Sequence, residues 1–112
     1  MYKYNATVTD VYDGDTITVD IDLGFRSHLK KVKLRLFGID APEMRGEERP
    51  KGIVTRDWLR SQILGQQIRV HTYKDSTGKY GRWLADIFPI DNQVRSYNEI
   101  MMEKNLAIKA SY

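Results

Sequence analysis

Cysteine is missing altogether from this 112-residue chain. Its absence excludes disulfides, iron–sulfur clusters, thiolate zinc and a cysteine nucleophile. Histidine is scarce: His28 and His71 stand far apart in sequence, so a polyhistidine metal centre is not expected. Any metal would be a hard cation held by oxygens, such as Ca²⁺, Mg²⁺ or Mn²⁺. No apolar run approaches the roughly 18 residues a membrane-spanning helix needs, and no membrane partner is expected. The N-terminal stretch Met1–Thr7 lacks the apolar segment of a signal peptide. The expected location is therefore cytoplasmic, or outside the cell if a leader has been removed. Repeats, linkers and low-complexity tracts are also lacking. With 41% hydrophobic and 29% charged residues, the chain reads as a single folded domain over residues 1–112 rather than a disordered tail.

Charge is distributed unevenly. The net charge of +3 is a weak hint of an anionic partner. From Asp10 to Asp22 there are five aspartates (Asp10, Asp13, Asp15, Asp20, Asp22) and no Lys or Arg, whereas Arg26, Lys30, Lys31, Lys33 and Arg35 follow with no acid among them. The simplest reading is two solvated strand faces attracting each other across a hairpin.

Hydrophobic periodicity sets the element order. Tyr4–Val11 is rich in Thr, Val and Tyr and reads as a strand. Asp13-Gly14-Asp15 follows as a turn. Residues 16–23 alternate, with Ile17, Val19, Ile21 and Leu23 inward and Thr16, Thr18, Asp20 and Asp22 outward. Residues 31–36 alternate again, placing Val32, Leu34 and Leu36 inward and Lys31, Lys33 and Arg35 outward. The polar stretch 44–52 predicts a loop, and 53–64 a helix with Val54, Trp58, Leu59 and Ile63 on its apolar face, closed by Gly65. Strands are predicted over 68–73 and 83–88, separated by a turn at 75–79. Ser96-Tyr97-Asn98-Glu99 is a capping box that opens a second helix to about Lys104, with Asn105 past its end. The expected class is mainly β with helices (α+β): a five-stranded OB-fold barrel, a helix between strands 3 and 4, and a short C-terminal helix. An SH3-like barrel or a split α+β sheet fits the same pattern.

Three segments carry chemistry. Asp13-Gly14-Asp15-Thr16 sets two carboxylates around a glycine, although by itself it reads as a hairpin turn. Arg35-Leu-Phe-Gly-Ile-Asp40-Ala-Pro-Glu43 follows an outward arginine with two carboxylates across a proline bend; alone it is a surface salt bridge. Lys79-Tyr80-Gly81-Arg82 is a basic turn. Together they hold the parts of metal-assisted phosphodiester hydrolysis. Asp15, Asp40 and Glu43 supply acids for a hard cation and for handling water, while Arg35 and Arg82 supply planar bidentate donors for phosphate oxygens.

In content, order and separation these three segments resemble the signature segments of the staphylococcal nuclease (thermonuclease) family, and weaker similarity continues through Asn98-Glu99 and Leu106-Ala107. The resemblance runs from about Val8 to Ala107. It implies the OB-fold and Ca²⁺-dependent cleavage of DNA and RNA, single-stranded or frayed, at the bond to the 5′-oxygen, leaving 3′-phosphates. By position, Asp15, Asp40 and the backbone carbonyl of Ala41 would be calcium ligands, the family prototype having threonine where Ala41 stands. Glu43 would be the general base toward the attacking water, and Arg35 and Arg82 would grip the scissile phosphate and its transition state. Asp13 would stand behind the ligands, and Lys79 and Tyr80 would touch a neighbouring phosphate or sugar. The prototype also carries a further C-terminal helix and a phosphate-contacting tyrosine. This chain stops at Tyr112, where the correspondence slips, so a marginally stable monomer or self-association through an uncovered C-terminal surface is expected. The competing class is a catalytically silent OB module that binds nucleic acid or a protein. Such degenerate copies generally lose the arginines and carboxylates, whereas Asp15, Arg35, Asp40, Glu43 and Arg82 are all present here.

Overall fold

The computed structural model describes residues 2–77 and 82–110. Five strands close into a barrel in the order β1-β2-β3-β6-β5, with β1 Tyr2–Val11, β2 Thr16–Gly24, β3 Ser27–Leu36, β5 Gln67–Thr77 and β6 Trp83–Pro89. All neighbours are antiparallel except β3 and β6, which run parallel over Leu34–Leu36. This is the five-stranded OB-fold barrel. Helix α1 (Arg49–Ile63) lies between the third and fourth barrel strands, and α2 (Tyr97–Glu103) follows the barrel. Two short segments, β4 (Ile39–Asp40) and β7 (Ile108–Lys109), pair beside it. No helix among the described residues is long and apolar enough to cross a membrane.

Alternation produces the core. Ile17, Val19 and Ile21 from β2 and Leu34 and Leu36 from β3 meet Val8, Ile68, Val70, Ala85 and Ile87 in one buried cluster. Burial of this apolar surface is the main favourable contribution to folding. Leu23, expected inward, is 49% exposed, because β2 and β3 run beyond the barrel as a free-standing hairpin with no core beneath it. Strand β3 correspondingly begins at Ser27 rather than at residue 31. The expected attraction across this hairpin is present only in part. Asp20 pairs with Lys30 at 3.8 Å and accepts from the Lys31 N–H at 3.0 Å.

Helix α1 begins four residues earlier than predicted. Pro50 occupies its first turn, where a missing N–H costs nothing. Its buried face is Gly52, Thr55, Leu59 and Ile63, while Val54, expected to be buried, is 59% exposed. Trp58 packs against the core from the side. Arg60 anchors the helix to the end of β1 by donating from Nε to the Val11 carbonyl at 3.1 Å. Strand β5 extends to Thr77, past the start of the turn expected at 75–79; residues 78–81 lie outside the described residues.

The Ser96 half of the predicted capping box forms. The Ser96 hydroxyl accepts from the Glu99 N–H at 3.0 Å, and Asn105 takes a left-handed φ of 59° past the helix end. Asn98, the second residue of the helix, is 3% exposed. Its carboxamide accepts from the Ile87 N–H and donates to the carbonyls of Phe37 and Ala85 at 2.9–3.2 Å, tying α2 to β6 and to the turn after β3. Removing it takes a partner from the Ile87 N–H and from the Phe37 carbonyl, while the Ala85 carbonyl keeps the Phe37 N–H at 2.8 Å. Asn98→Ala should therefore destabilise the protein by about 3 kcal/mol, the scale of unsatisfied buried polar groups, read as a lower urea midpoint at unchanged slope.

Candidate active site

A cleft of about 740 Å³ opens beside the barrel, lined by Asp13, Asp15, Arg35, Asp40, Ala41, Pro42, Glu43 and Arg82 together with Glu48, Lys51 and residues 105–108. Each expected carboxylate and arginine within the described residues reaches it. Asp15 precedes β2, Arg35 ends β3, Asp40 sits on β4, Glu43 follows the proline bend, and Arg82 precedes β6.

Arg35 is the hub. Its Nη1 donates to the carbonyls of Leu36 and Ile39, both at 2.9 Å. Its Nη2 contacts Asp40 Oδ1 at 2.6 Å and Asp15 Oδ2 at 3.5 Å. The side chain is only 13% exposed, and a charge so enclosed must be paired and hydrogen-bonded to be tolerated. The two carbonyls fix the guanidinium plane, and the plane in turn draws the two aspartates together. Arg82 is oriented from the other side, with Nη1 donating to the Thr16 hydroxyl at 3.0 Å.

The loop carrying Asp15 is held equally closely. Its Oδ2 accepts from the Ala41 N–H at 2.9 Å, its own N–H donates to Asp13 Oδ1 at 3.0 Å, and its carbonyl accepts from the Leu36 N–H at 2.8 Å. Gly14 is needed for space rather than for an unusual φ, because a Cβ there would lie 2.4 Å from the Thr55 methyl and 2.7 Å from Ala41 Cβ. The same logic applies at Gly52, whose Cβ would meet the Glu43 carbonyl at 2.4 Å. Helix α1 thus presses two close contacts onto the segments that bear Asp15 and Glu43. Its Thr55 hydroxyl donates to the Leu106 carbonyl at 2.6 Å, fixing the opposite wall. Burial raises the Asp15 carboxyl to about 6, assisted by the neighbouring Asp13 and opposed by the Ala41 N–H and Arg35.

The model of the family described as Staphylococcal nuclease homologue matches residues 33–112. The chain belongs to that family. Among curated relatives, a thermonuclease of Staphylococcus hyicus is 31% identical over 103 residues, covering 89% of this chain and 56% of that protein. A staphylococcal-like nuclease of Arabidopsis thaliana, CAN1, is 35% identical over 78 residues, 70% of this chain and 22% of the plant protein. An uncharacterized endonuclease of Escherichia coli O157:H7 is 29% identical over 103 residues, 92% of this chain and 59% of its own length. The chain therefore spans little more than half of these relatives at most.

Of the residues that the nuclease family resemblance singled out, Lys79 and Tyr80 lie outside the described residues, as does Tyr112. Of the other cleft-lining residues, only Leu106-Ala107 carried any family similarity, and that was weak. Glu48 and Lys51 face the cleft only because α1 starts at Arg49, and the 105–108 wall is brought there by the pairing of Asp40 with Ile108. Thr16, the anchor of Arg82, read as an ordinary outward strand residue; its position in the strand held no signal of that contact.

The Asp15 shift has a definite sign. With the folded value near 6 and the unfolded one near 3.8, the folded state holds its proton longer. Stability without metal should fall as pH rises from about 4 to about 6 and then level off. Asp15→Asn removes the cost of burying that charge. It should raise the melting temperature in metal-free buffer at pH 7 by roughly 5 °C, with no gain at pH 3.5, as read by paired thermal melts.

Proposed function

We propose that this chain is a Ca²⁺-dependent phosphodiesterase that hydrolyses DNA and RNA to leave 3′-phosphate ends. The observation that carries this reading is Arg35 fixed on two backbone carbonyls between Asp15 and Asp40. One preoriented guanidinium stands at a cleft with two carboxylates and a second arginine, the constellation that phosphoryl chemistry requires. The nuclease names of the relatives support the same reading.

A hard cation suits the donors, which are all oxygens. Asp15 and Asp40 both reach the same guanidinium nitrogen, and Asp15 is a carboxylate whose charge its surroundings leave undercompensated. Among the described residues no group of three acidic or histidine side chains could hold an ion unaided. Asp15 and Asp40 would thus be a partial set, completed by the Ala41 carbonyl and water, as Ca²⁺ with its six to eight oxygens allows. When bound, the ion would supply Lewis-acid stabilisation of phosphate charge.

The chain's own residues do the rest. Arg35 and Arg82 donate to the non-bridging phosphate oxygens as charge builds on them. Glu43, exposed at the rim of the cleft, takes the proton of the attacking water. Asp13 holds the Asp15 backbone through its N–H, and Lys79 and Tyr80 would contact the adjoining phosphate or sugar.

Cleavage of single-stranded DNA and of RNA should occur with Ca²⁺, stop with EDTA, and yield ends that become substrates for polymerase extension only after phosphatase treatment. Activity should fall as pH drops below about 6, where the Asp15 proton competes with the cation. Arg35→Lys keeps the charge but loses the fork and should lower kcat about 100-fold, the scale of one oriented donor. Full activity in EDTA would overturn the metal assignment. Binding without cleavage under Ca²⁺ would make the chain a silent nucleic-acid module instead.

A further inference from the structure

The β2–β3 hairpin projects beyond the core and ends in a turn that its residues do not favour locally. Phe25 and Arg26 both adopt left-handed backbone, at φ 51° and 61°, where Asn-Gly is the usual pair. Packing does not explain the choice, because Phe25 is 103% exposed. A bulky ring held in a strained conformation with nothing against it points to a contact that lies outside the chain. Leu23 and Leu29, 49% and 52% exposed, flank it.

The cations of the hairpin are also unspent. Among the described residues Lys30 has a carboxylate partner, Asp20, but no ion pair forms on Arg26, Lys31 or Lys33. The local acids are engaged: Asp20 with Lys30 and the Lys31 N–H, Asp22 with the Gly24 N–H at 2.8 Å. Lys33 lies two residues from Arg35 on the outward face of β3, a step of about 7 Å, comparable with the phosphate repeat of a stretched single strand. Lys31 follows in a bulge, with φ 57°. The hairpin tip stands roughly 26 Å from Thr16 by strand rise.

We propose that this hairpin is a second nucleic-acid contact, an arm that holds a single strand leading away from the cleft. Its phosphates would track Arg35, Lys33 and Lys31, and a base would stack on Phe25 beside Arg26. Base–aromatic stacking combined with a cationic track is how sequence-tolerant OB-folds hold single strands. Continuity of the track with Arg35 favours this occupant over an anionic membrane, which could also receive an apolar tip ringed with cations. The proposal rests on the reading that the cleft takes a nucleic-acid polymer.

Anisotropy of labelled single-stranded 20-mer and 4-mer DNA, measured in EDTA on the full chain, tests it; the 4-mer is too short to span from cleft to tip. Phe25→Asn keeps a residue that tolerates the turn and removes the ring. It should weaken 20-mer binding about tenfold, in line with a lost base–aromatic stack, and shift 4-mer binding less than twofold. Lys31→Gln with Lys33→Gln should flatten the 20-mer's logarithmic salt slope by about 1.4, at roughly 0.7 per phosphate on a single strand. Phe25→Trp should retain 20-mer affinity, with indole fluorescence quenched on binding. Unchanged 20-mer affinity in Phe25→Asn, or equal losses on both lengths, would overturn the proposal. Loss of binding to phosphatidylserine vesicles in that variant with 20-mer affinity unmoved would do the same in favour of a membrane. Hairpin-dependent 20-mer binding in a protein that cleaves nothing with Ca²⁺ would sustain the arm and remove the nuclease reading.

Discussion

A single guanidinium organises the cleft. Arg35 is enclosed enough that it could not remain charged without partners, and its partners come from three separate stretches of backbone: its own strand end, β4, and the loop before β2. Two carboxylates set this close would repel each other. The cation between them makes their proximity tolerable, and the carbonyls behind it keep the cation from following either one. Position therefore comes from mutual constraint rather than from the stiffness of any single loop.

The barrel and the helix contribute differently to that arrangement. Strands β2, β3 and β6 deliver Thr16, Arg35 and Arg82 to one end of the sheet, with register fixed by an interior that accepts only alternate residues. Helix α1 then clamps the irregular segments. The lack of a side chain lets the Thr55 methyl and Ala41 Cβ press on the Gly14 backbone and the Glu43 backbone press on Gly52, and Thr55 reaches across to Leu106. Polar groups in these segments are satisfied mainly by one another, which suits a site that must stay open to solvent.

Period-2 alternation was readable wherever a strand covers core, which is why Ile17, Val19, Leu34 and Leu36 were assigned their faces and Arg35 the outer one. It misled at Leu23, because alternation reports which face a residue takes and not whether anything lies beneath that face. The start of α1 was hidden by residues with poor helical propensity; Gly52 is there for contact with the Glu43 backbone, a tertiary demand that overrides local preference. The candidate site's acids and arginines were legible only because three separately ambiguous segments occur together in the order of one family. Lys51 and Thr55 were not, and the 105–108 wall only through the weak similarity at Leu106-Ala107, because their part depends on proximity across the fold and leaves no spacing in the chain. Asn98 was legible only as a cap-adjacent polar residue, and its three bonds to distant backbone could not be inferred from its neighbours.

The barrel is closed on one side by a short parallel seam, Leu34–Leu36 against Trp83–Ala85. Arg35 lies within that seam and Arg82 immediately precedes its other strand. Parallel pairing is slightly weaker per residue than antiparallel, and a three-residue ladder is among the first places where local opening would begin. Any breath of the barrel at this joint would move the two arginines apart before it disturbed the core. Amide exchange at Arg35 and Ala85 would therefore report how often the pair of guanidinium groups is disassembled, and competence at the cleft would decline with heat ahead of global melting.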